Sequence, residues 1–504
     1  MLKTELSEKY KAYISGVLGC YDRLIFTGTL IQGCYGEGMQ YHLSKLGIRV
    51  FDYKKYAKGI NEMIRKTITD LSKQSGIVIQ HLRHKKIRKD KEVKKLLEVR
   101  GEHAGLVAIF STMERCSVRF EPRYNPKTKT CSLQASGGKC THYYIYFIDK
   151  DYGLCHLRIP TWLPCALQFY CNGHSYLAKQ LDKTGINYKK EGNVFLQIGD
   201  WNKAQQLSDG LCPMHLLCKI MHYTRLYCPL HEEFDKGYQW SISQAEYACD
   251  YCFKRRLTLQ GIYSELIKTA IHTVTPDNIA TFLGKKKLHG NYQGELGSRL
   301  ATRIQGTCIK HSKDKQSVKM YDKEGIVLRI EATTYDVRFF KHYREVNKRD
   351  GSVVMKYTNM RKHLLSLIPL AQILQGITER YANFLASLET SHKGKKRLVK
   401  VTKSVKHNQK SYRGINFFKL DDVKLLVSIA KGRFNIDGFR NKDIRKLVDK
   451  SSHQVSRLFK NLRMHGIIRK CGNQHKYSLT QLGKRVIFTG LKVKEFLITP
   501  CLNY

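Results

Sequence analysis

Three observations predict an α+β, multidomain chain with a basic α/β body that carries β-hairpins. The first is length, since 504 residues give room for roughly three or four cores of ordinary size. The second is a mixture of two periodicities, apolar stripes at helical spacing and short alternating runs at strand spacing. The third is charge: 89 Lys+Arg against 42 Asp+Glu leave a formal +47.

That charge exceeds what solubility needs and opposes compaction unless a polyanion neutralises it. Nucleic acid, DNA and/or structured RNA, is the partner that fits, through counterion release along the phosphate backbone. A membrane fits less well, because the basic residues run through the whole chain and do not flank an apolar helix. No run of about eighteen apolar residues occurs, and MLKTELSEKYK at the start has no signal-like apolar core. The expectation is a cytoplasmic protein without membrane contact. Its 16 cysteines then read as thiols or metal ligands, not disulfides. Oligomeric state leaves no trace in these residues.

Residues 1–105 read as an N-terminal α/β region: a helix over Tyr10–Leu18, a strand over Leu24–Leu30, and helices over Gln40–Leu46 and Tyr56–Ser75. A basic helix, HLRHKKIRKDKEVKKLLEVR, follows from His81 and suits a phosphate backbone. Residues 106–200 read as β-rich, with strands near 106–111, 117–121, 143–148 and 154–159, a loop over Pro122–Lys139, and Asn172-Gly173 as a turn or helix start. Residues 201–275 read as a mainly helical insert. It contains Cys249-Asp250-Tyr251-Cys252, half of a zinc pattern. No second CxxC follows, and SQAEYACDYCFKRRL reads as one continuous helix, so zinc at Cys249 and Cys252 is disfavoured.

Residues 276–390 form the next α/β region, from a helix over Thr275–Gly284 to a long amphipathic helix over Leu364–Leu388. Between them lies SVKMYDKEGIVLRIEATTYDVRFFKHY, which predicts strands Val318–Asp322 and Ile326–Thr334 around a Lys323-Glu324-Gly325 turn. Val318, Met320, Leu328 and Ile330 would share one face, and Lys319, Tyr321, Arg329 and Glu331 the other, with Asp322 at the turn. A hydroxyl, carboxylates and two cations gathered this way suit phosphate handling; the competing reading is a surface strand with cross-strand ion pairs. For a phosphodiester-cleaving chain, Tyr321 is the candidate nucleophile, with Lys319, Arg329 and Arg158 on the phosphate. Asp322 and Glu331, joined by Asp149 and Asp22, are the carboxylates to hold Mg²⁺. His289 and Tyr292, in the loop ahead, are a further ligand and nucleophile. The stretch YFIDKDYGLCHLRIPT at Tyr146–Thr161 echoes MYDKEGIVLRIEAT at Met320–Thr333. The echo suggests an internal duplication; two hairpins built alike by convergence is the alternative.

Residues 391–420 are a basic linker with nine Lys/Arg and no acid before Lys419, and Lys395, Lys396 and Arg397 form its phosphate grip. Residues 421–490 predict a winged helix-turn-helix, leaving 491–504 as a tail. Helix one covers Asp421–Ala430; helix two covers Lys442–Val448 behind an Asn441 cap; helix three runs from a Ser451 or Ser452 cap to His465, where Gly466 stops it. Strands Ile467–Cys471 and Lys476–Leu479 make the wing. Helix three would bury Val455, Leu458, Phe459 and Leu462 and present Gln454, Arg457, Lys460, Asn461 and Arg463, with Lys476 on the wing, to bases and phosphates.

The segments GCYDRLIFTG (19–28), His156–His174, Ala245–Ala248, Lys319–Lys323, Leu328–Glu331 and GFRNKDI (438–444) carry an almost full-length resemblance to an uncharacterised bacterial family, often labelled MarR-like from its C-terminus. That resemblance implies a mobile-element protein. Locally, a hydrophobic residue, Tyr-Asp-Lys, a turn and Leu-Arg-Ile-Glu resemble a hairpin of rolling-circle replication initiators. Three functions stay open: a mobile-element or replication protein that binds nucleic acid and cleaves it with Mg²⁺, a non-catalytic ribonucleoprotein component, and a transcriptional regulator.

Overall fold

The structure is a computed structural model that describes residues 4–83, 88–116, 119–231, 233–234, 236–285, 292–303, 306–388, 401–471 and 475–494. It is mixed α+β, as the periodicities predict. The chain opens with helix α1 (Glu5–Lys9), strand β1 (Ile14–Leu30), helices α2 (Gly36–Lys45) and α3 (Tyr53–Ser75), strand β2 (Ile79–His81) and helix α4 (Lys89–Arg100). Strands β3 (Gly105–Arg115), β4 (Arg119–Asn125), β5 (Thr130–Ser136), β6 (Lys139–Asp149), β7 (Gly153–Pro160) and β8 (Leu167–Asn172) follow. Next come α5 (Gly173–Thr184), β9 (Tyr188–Glu191), β10 (Val194–Ile198), α6 (Trp201–Asp209), α7 (Pro213–Tyr227) and β11 (Tyr238–Phe253). The chain continues through α8 (Arg256–Thr273), α9 (Pro276–Phe282), β12 (Leu296–Arg303), β13 (Gly306–Lys313), β14 (Gln316–Lys323) and β15 (Val327–Thr334). A hairpin β16 (Lys341–Asn347) and β17 (Val353–Asn359) precedes the long α10 (Leu367–Leu388).

Two compact units result, one from Leu18–Ala248 and Thr333–Leu374, the other from Leu2–Val17, Cys249–Ala332 and Gln375–Tyr504. In the first, sheet neighbours run β11-β1-β8-β7-β6-β3-β2. The ladders from β1 to β3 are antiparallel, and β2 joins β3 in parallel. In the second, they run β12-β13-β14-β15-β11. In each unit a run of strands returns across the sheet in sequence order, β8-β7-β6-β3-β2 in the first and β15-β14-β13-β12 in the second. The sequence echo does not follow that repeat. By topology β6–β7 corresponds to β13–β14, whereas the echo matches β6–β7 with β14–β15, one strand out of step. The echo and the repeated strand order are therefore separate facts.

Several local expectations give way to tertiary context. The helix expected over Tyr10–Leu18 is replaced from Ile14 by β1, whose Val17, Leu18, Leu24 and Phe26 are buried. The loop expected over Pro122–Lys139 is largely the hairpin β4–β5. The continuous helix expected around Cys249 is strand β11, where Ala245 through Phe253 are buried on both faces. A strand covered on both sides loses its alternation and reads like a helix. Segment α5 begins where Asn172-Gly173 predicts, with the Asn172 side chain accepting from the backbone N–H of His174 and Ser175.

The C-terminal segment holds hairpin β18 (Val405–His407) and β19 (Lys410–Tyr412), helices α11 (Leu420–Ile429) and α12 (Gly432–Asp437), β20 (Phe439–Arg440), α13 (Asn441–Val448), α14 (Ser452–Met464), β21 (Ile468–Lys470), β22 (Lys476–Leu479) and α15 (Gln481–Lys492). Its three strands order as β20-β22-β21. Phe439, Ile444, Val455, Phe459, Leu462 and Ile467 share one core. Ser451 caps α14 in a box with Gln454, and Gly466 at φ 69° follows its end. Asn441 is the first residue of α13, and the cap position falls on Arg440.

Candidate nucleic-acid interface

The antiparallel register of the first unit lines up one face of the sheet residue by residue. Ile25 on β1 pairs with Tyr170 on β8, Tyr170 with His156 on β7, His156 with Tyr146 on β6, and Tyr146 with Ala108 on β3. The next row is Thr27, Gln168, Arg158, Tyr144 and Phe110. Since alternate residues of a strand share a face, both rows lie on the same side. His156 stacks on Tyr170 with centroids 4.9 Å apart and planes at 13°, and Tyr146 sits 4.8 Å from His156. Helix α4 packs over one end of this face through Val93 and Leu97. The rest is a groove of about 1460 Å³, edged by Lys94, Lys179, Lys189 and Lys190 as well as Arg23.

Cations already lie on the rings: Lys89 Nζ is 3.9 Å from the Tyr144 centroid, and the Arg23 guanidinium 5.9 Å from that of Tyr170. Burial and the neighbouring Arg158, Lys89 and Arg23 push the His156 pKa down to about 3, so its ring is neutral at physiological pH. His156 Nδ1 has no hydrogen-bond partner among the described residues. Arg158 is half-buried within the same face.

Asp22, next in the chain to the groove-lining Arg23, is 6% exposed. Its Oδ1 accepts from Asn172 Nδ2 at 3.0 Å and Asn193 Nδ2 at 2.6 Å, and His174 Nδ1 lies 3.2 Å from the same oxygen. Both asparagines also line the groove. Glu246 on β11, likewise buried, brings a carboxylate oxygen within 4.8 Å of one from Asp22, and Arg23 Nε lies 3.9 Å from its Oε2. Asp149 has a different role. It caps the β6–β7 turn, accepting from the Asp151 and Tyr152 amides, and takes further bonds from Lys219 at 3.1 Å and Tyr223 at 2.7 Å on α7. Those donors hold its pKa below the usual carboxylate value, against the effect of burial.

The hairpin of the second unit has the expected alternation and a turn at Glu324–Ile326, with Glu324 and Gly325 at φ 55° and 70°. Val318, Met320, Leu328 and Ile330 are buried on one face. On the other, Tyr321 Oη donates to Glu331 Oε2 at 2.8 Å and Lys319 Nζ pairs with Glu331 Oε1 at 2.6 Å. A phenol bonded to a carboxylate is the arrangement in which a base takes the nucleophile's proton. The polar face is not open, however: Glu331 and Arg329 are both buried. Arg329 donates from Nε and Nη2 to Asp250 at 2.6 and 2.7 Å in a two-pronged buried pair, which removes it from the phosphate-contacting set. Asp322 does not join Glu331 at one metal, because neighbours in a strand face opposite ways. Its surroundings are the Gly325 backbone, Glu324 and Arg256, and burial raises its pKa.

Cys249 and Cys252 are three apart on a strand and therefore also point to opposite faces. Burial pushes the Cys249 thiol up to about 12 and raises that of Cys252 well above its ordinary value, away from the thiolate that zinc needs. All cysteines among the described residues are free thiols. Tyr292 bonds to Asp314 at 2.7 Å, while His289, Lys395, Lys396 and Arg397 lie outside the described residues. On α14, Gln454, Arg457, Lys460 and Arg463 are exposed and Asn461 half-buried, as is Lys476 on β22. Gln454 is partly engaged, its Oε1 accepting from the Ser451 amide at 2.9 Å.

Sequence reasoning passed over Glu246, Asn193 and the ring ladder. Glu246 sat in a stretch read as helix, and β8 was not recognised, so Tyr170 had no register to place it beside His156. Among the described residues no helix is long and apolar enough to cross a membrane. Comparison of the chain with protein-family models, with curated proteins and with solved structures returns no match.

Proposed function

We propose that the chain is a nucleic-acid-binding protein of mobile-element or replication type, in which the C-terminal segment is a winged helix that reads a site and the basic body grips the strand. The observation that carries this reading is the +47 charge, together with the outward cations of α14. A helix with a buried apolar stripe and exposed Arg, Lys and Gln fits a major groove. The test is to purify the chain from its native locus and sequence what accompanies it. A particular DNA end or inverted repeat would support this reading; a discrete RNA encoded beside the gene would replace it with the ribonucleoprotein reading.

The catalytic form of the proposal rests on Asp22 and Glu246. Their oxygen-only donor set suits Mg²⁺ more than zinc, and both side chains are buried and held, Asp22 by Asn172 and Asn193. Bound there, Mg²⁺ would stabilise charge on the attacking and leaving oxygens of a phosphodiester. Asp22→Asn with Glu246→Gln is expected to abolish Mg²⁺-dependent nicking of a supercoiled plasmid while leaving mobility-shift binding intact. Undiminished nicking would refute the assignment.

A further inference from the structure

We propose that the groove on the first unit's sheet is a subsite for unpaired nucleotides, whose bases pack against the Tyr170–His156 ladder while the phosphates run along Lys94 and Lys189. The inference deepens the nucleic-acid reading above and rests on it. Three independent features converge on one ligand class. The floor is aromatic, a cross-strand ladder in which the Tyr170 and His156 rings lie parallel within 13° with centroids 4.9 Å apart, and an aromatic surface accepts any base because every base has a π-face to set against ring edges. The rim carries more cations than acids, with Asp90, Glu98, Glu102 and Asp182 among its lysines and arginines, and Lys94 and Lys189 are exposed on separate elements, α4 and β9. The volume of about 1460 Å³ exceeds the roughly 300–1,000 Å³ of ordinary small-ligand sites, as a polymer segment requires. Arg23, exposed at the Asp22 end, offers a stacking cation. An exposed duplex would not reach these rings, since pairing keeps its base faces stacked on one another.

The experiment is fluorescence anisotropy on the full chain with three labelled probes: a 12-nucleotide single-stranded DNA, its RNA equivalent and a blunt 20-base-pair duplex. Tyr170→Leu keeps the apolar contact and removes the ring; Lys94→Glu with Lys189→Glu reverses the rim charge at exposed positions and spares the fold. Each variant is expected to weaken the better-bound single strand about tenfold and to leave duplex affinity within about twofold. The same single strand carrying 2-aminopurine should be quenched on binding to the parent chain and not to Tyr170→Leu. Which single strand binds more tightly tells DNA from RNA, and either result supports the subsite. Equal losses on single strand and duplex, or no loss with either variant, would overturn it while nucleic-acid binding stands. A parent chain that binds no probe would instead refute the wider reading.

Discussion

Replacing Asp250 by Asn tests the reassignment of Arg329 from phosphate contact to structural ion pair. Arg329 is 0% and Asp250 1% exposed, and the two bonds of 2.6 and 2.7 Å make a fork. The substitution keeps the shape but removes the negative charge, leaving a guanidinium in a low-dielectric interior. Breaking a buried pair from one side costs about 3–5 kcal/mol. For a unit of roughly 150–250 residues each kcal/mol moves the melting midpoint by about 2–4 °C, so a drop of roughly 6–20 °C is expected. Thermal melts followed by circular dichroism measure it; since the chain has two units, the midpoint is followed in place of one unfolding free energy. Replacing both partners, Arg329→Met with Asp250→Leu, removes the uncompensated charge and should recover most of the loss. Nucleic-acid affinity of the folded variant should be unchanged. A single variant that melts within about 2 °C of the parent, or a double variant as unstable as the single, would refute the argument.

Glu114 sets part of the acid stability. Burial raises its pKa, but bonds from Thr112, Lys89 and Tyr144 outweigh burial and hold it at about 2, below the roughly 4.3 of an unfolded chain. Its contribution is therefore complete above pH about 4.3 and lost as pH falls towards 2. Glu114→Gln should flatten the stability curve in that window, and an identical acid limb would disprove it. Gly173→Ala should destabilise the first unit by about 1–3 kcal/mol, because its Cβ would sit 2.1 Å from the Tyr21 carbonyl oxygen; an unshifted melt would contradict that clash. Arg457→Ala with Arg463→Ala should weaken binding to the selected DNA site by roughly tenfold or more, at about 1–3 kcal/mol per good base contact. Unchanged affinity at physiological salt would move α14 to protein docking.

Much of the C-terminal segment was legible because its signals are local. Ser451, Gly466 and the Val455-Phe459-Leu462 stripe each act within one or two turns of the helix they define. The YDK–LRIE hairpin was legible for the same reason, since a short turn fixes its register and hence which side chains share a face. The alternation correctly put Tyr321 beside Glu331, but it carried no information on what covers that face.

The sequence by itself determined the mixed fold, the hairpin's two faces, the helix boundaries near strong caps and the formal charge of +47. Only the tertiary structure decided that β11 is a strand, that Arg329 is spent on Asp250, and that Ile25, Tyr170, His156 and Tyr146 stand in one row. The reason is range. Caps, turns and periodicity are settled by neighbours a few residues apart, whereas a ladder joining residues 25, 170, 156 and 146 exists only once distant strands pair.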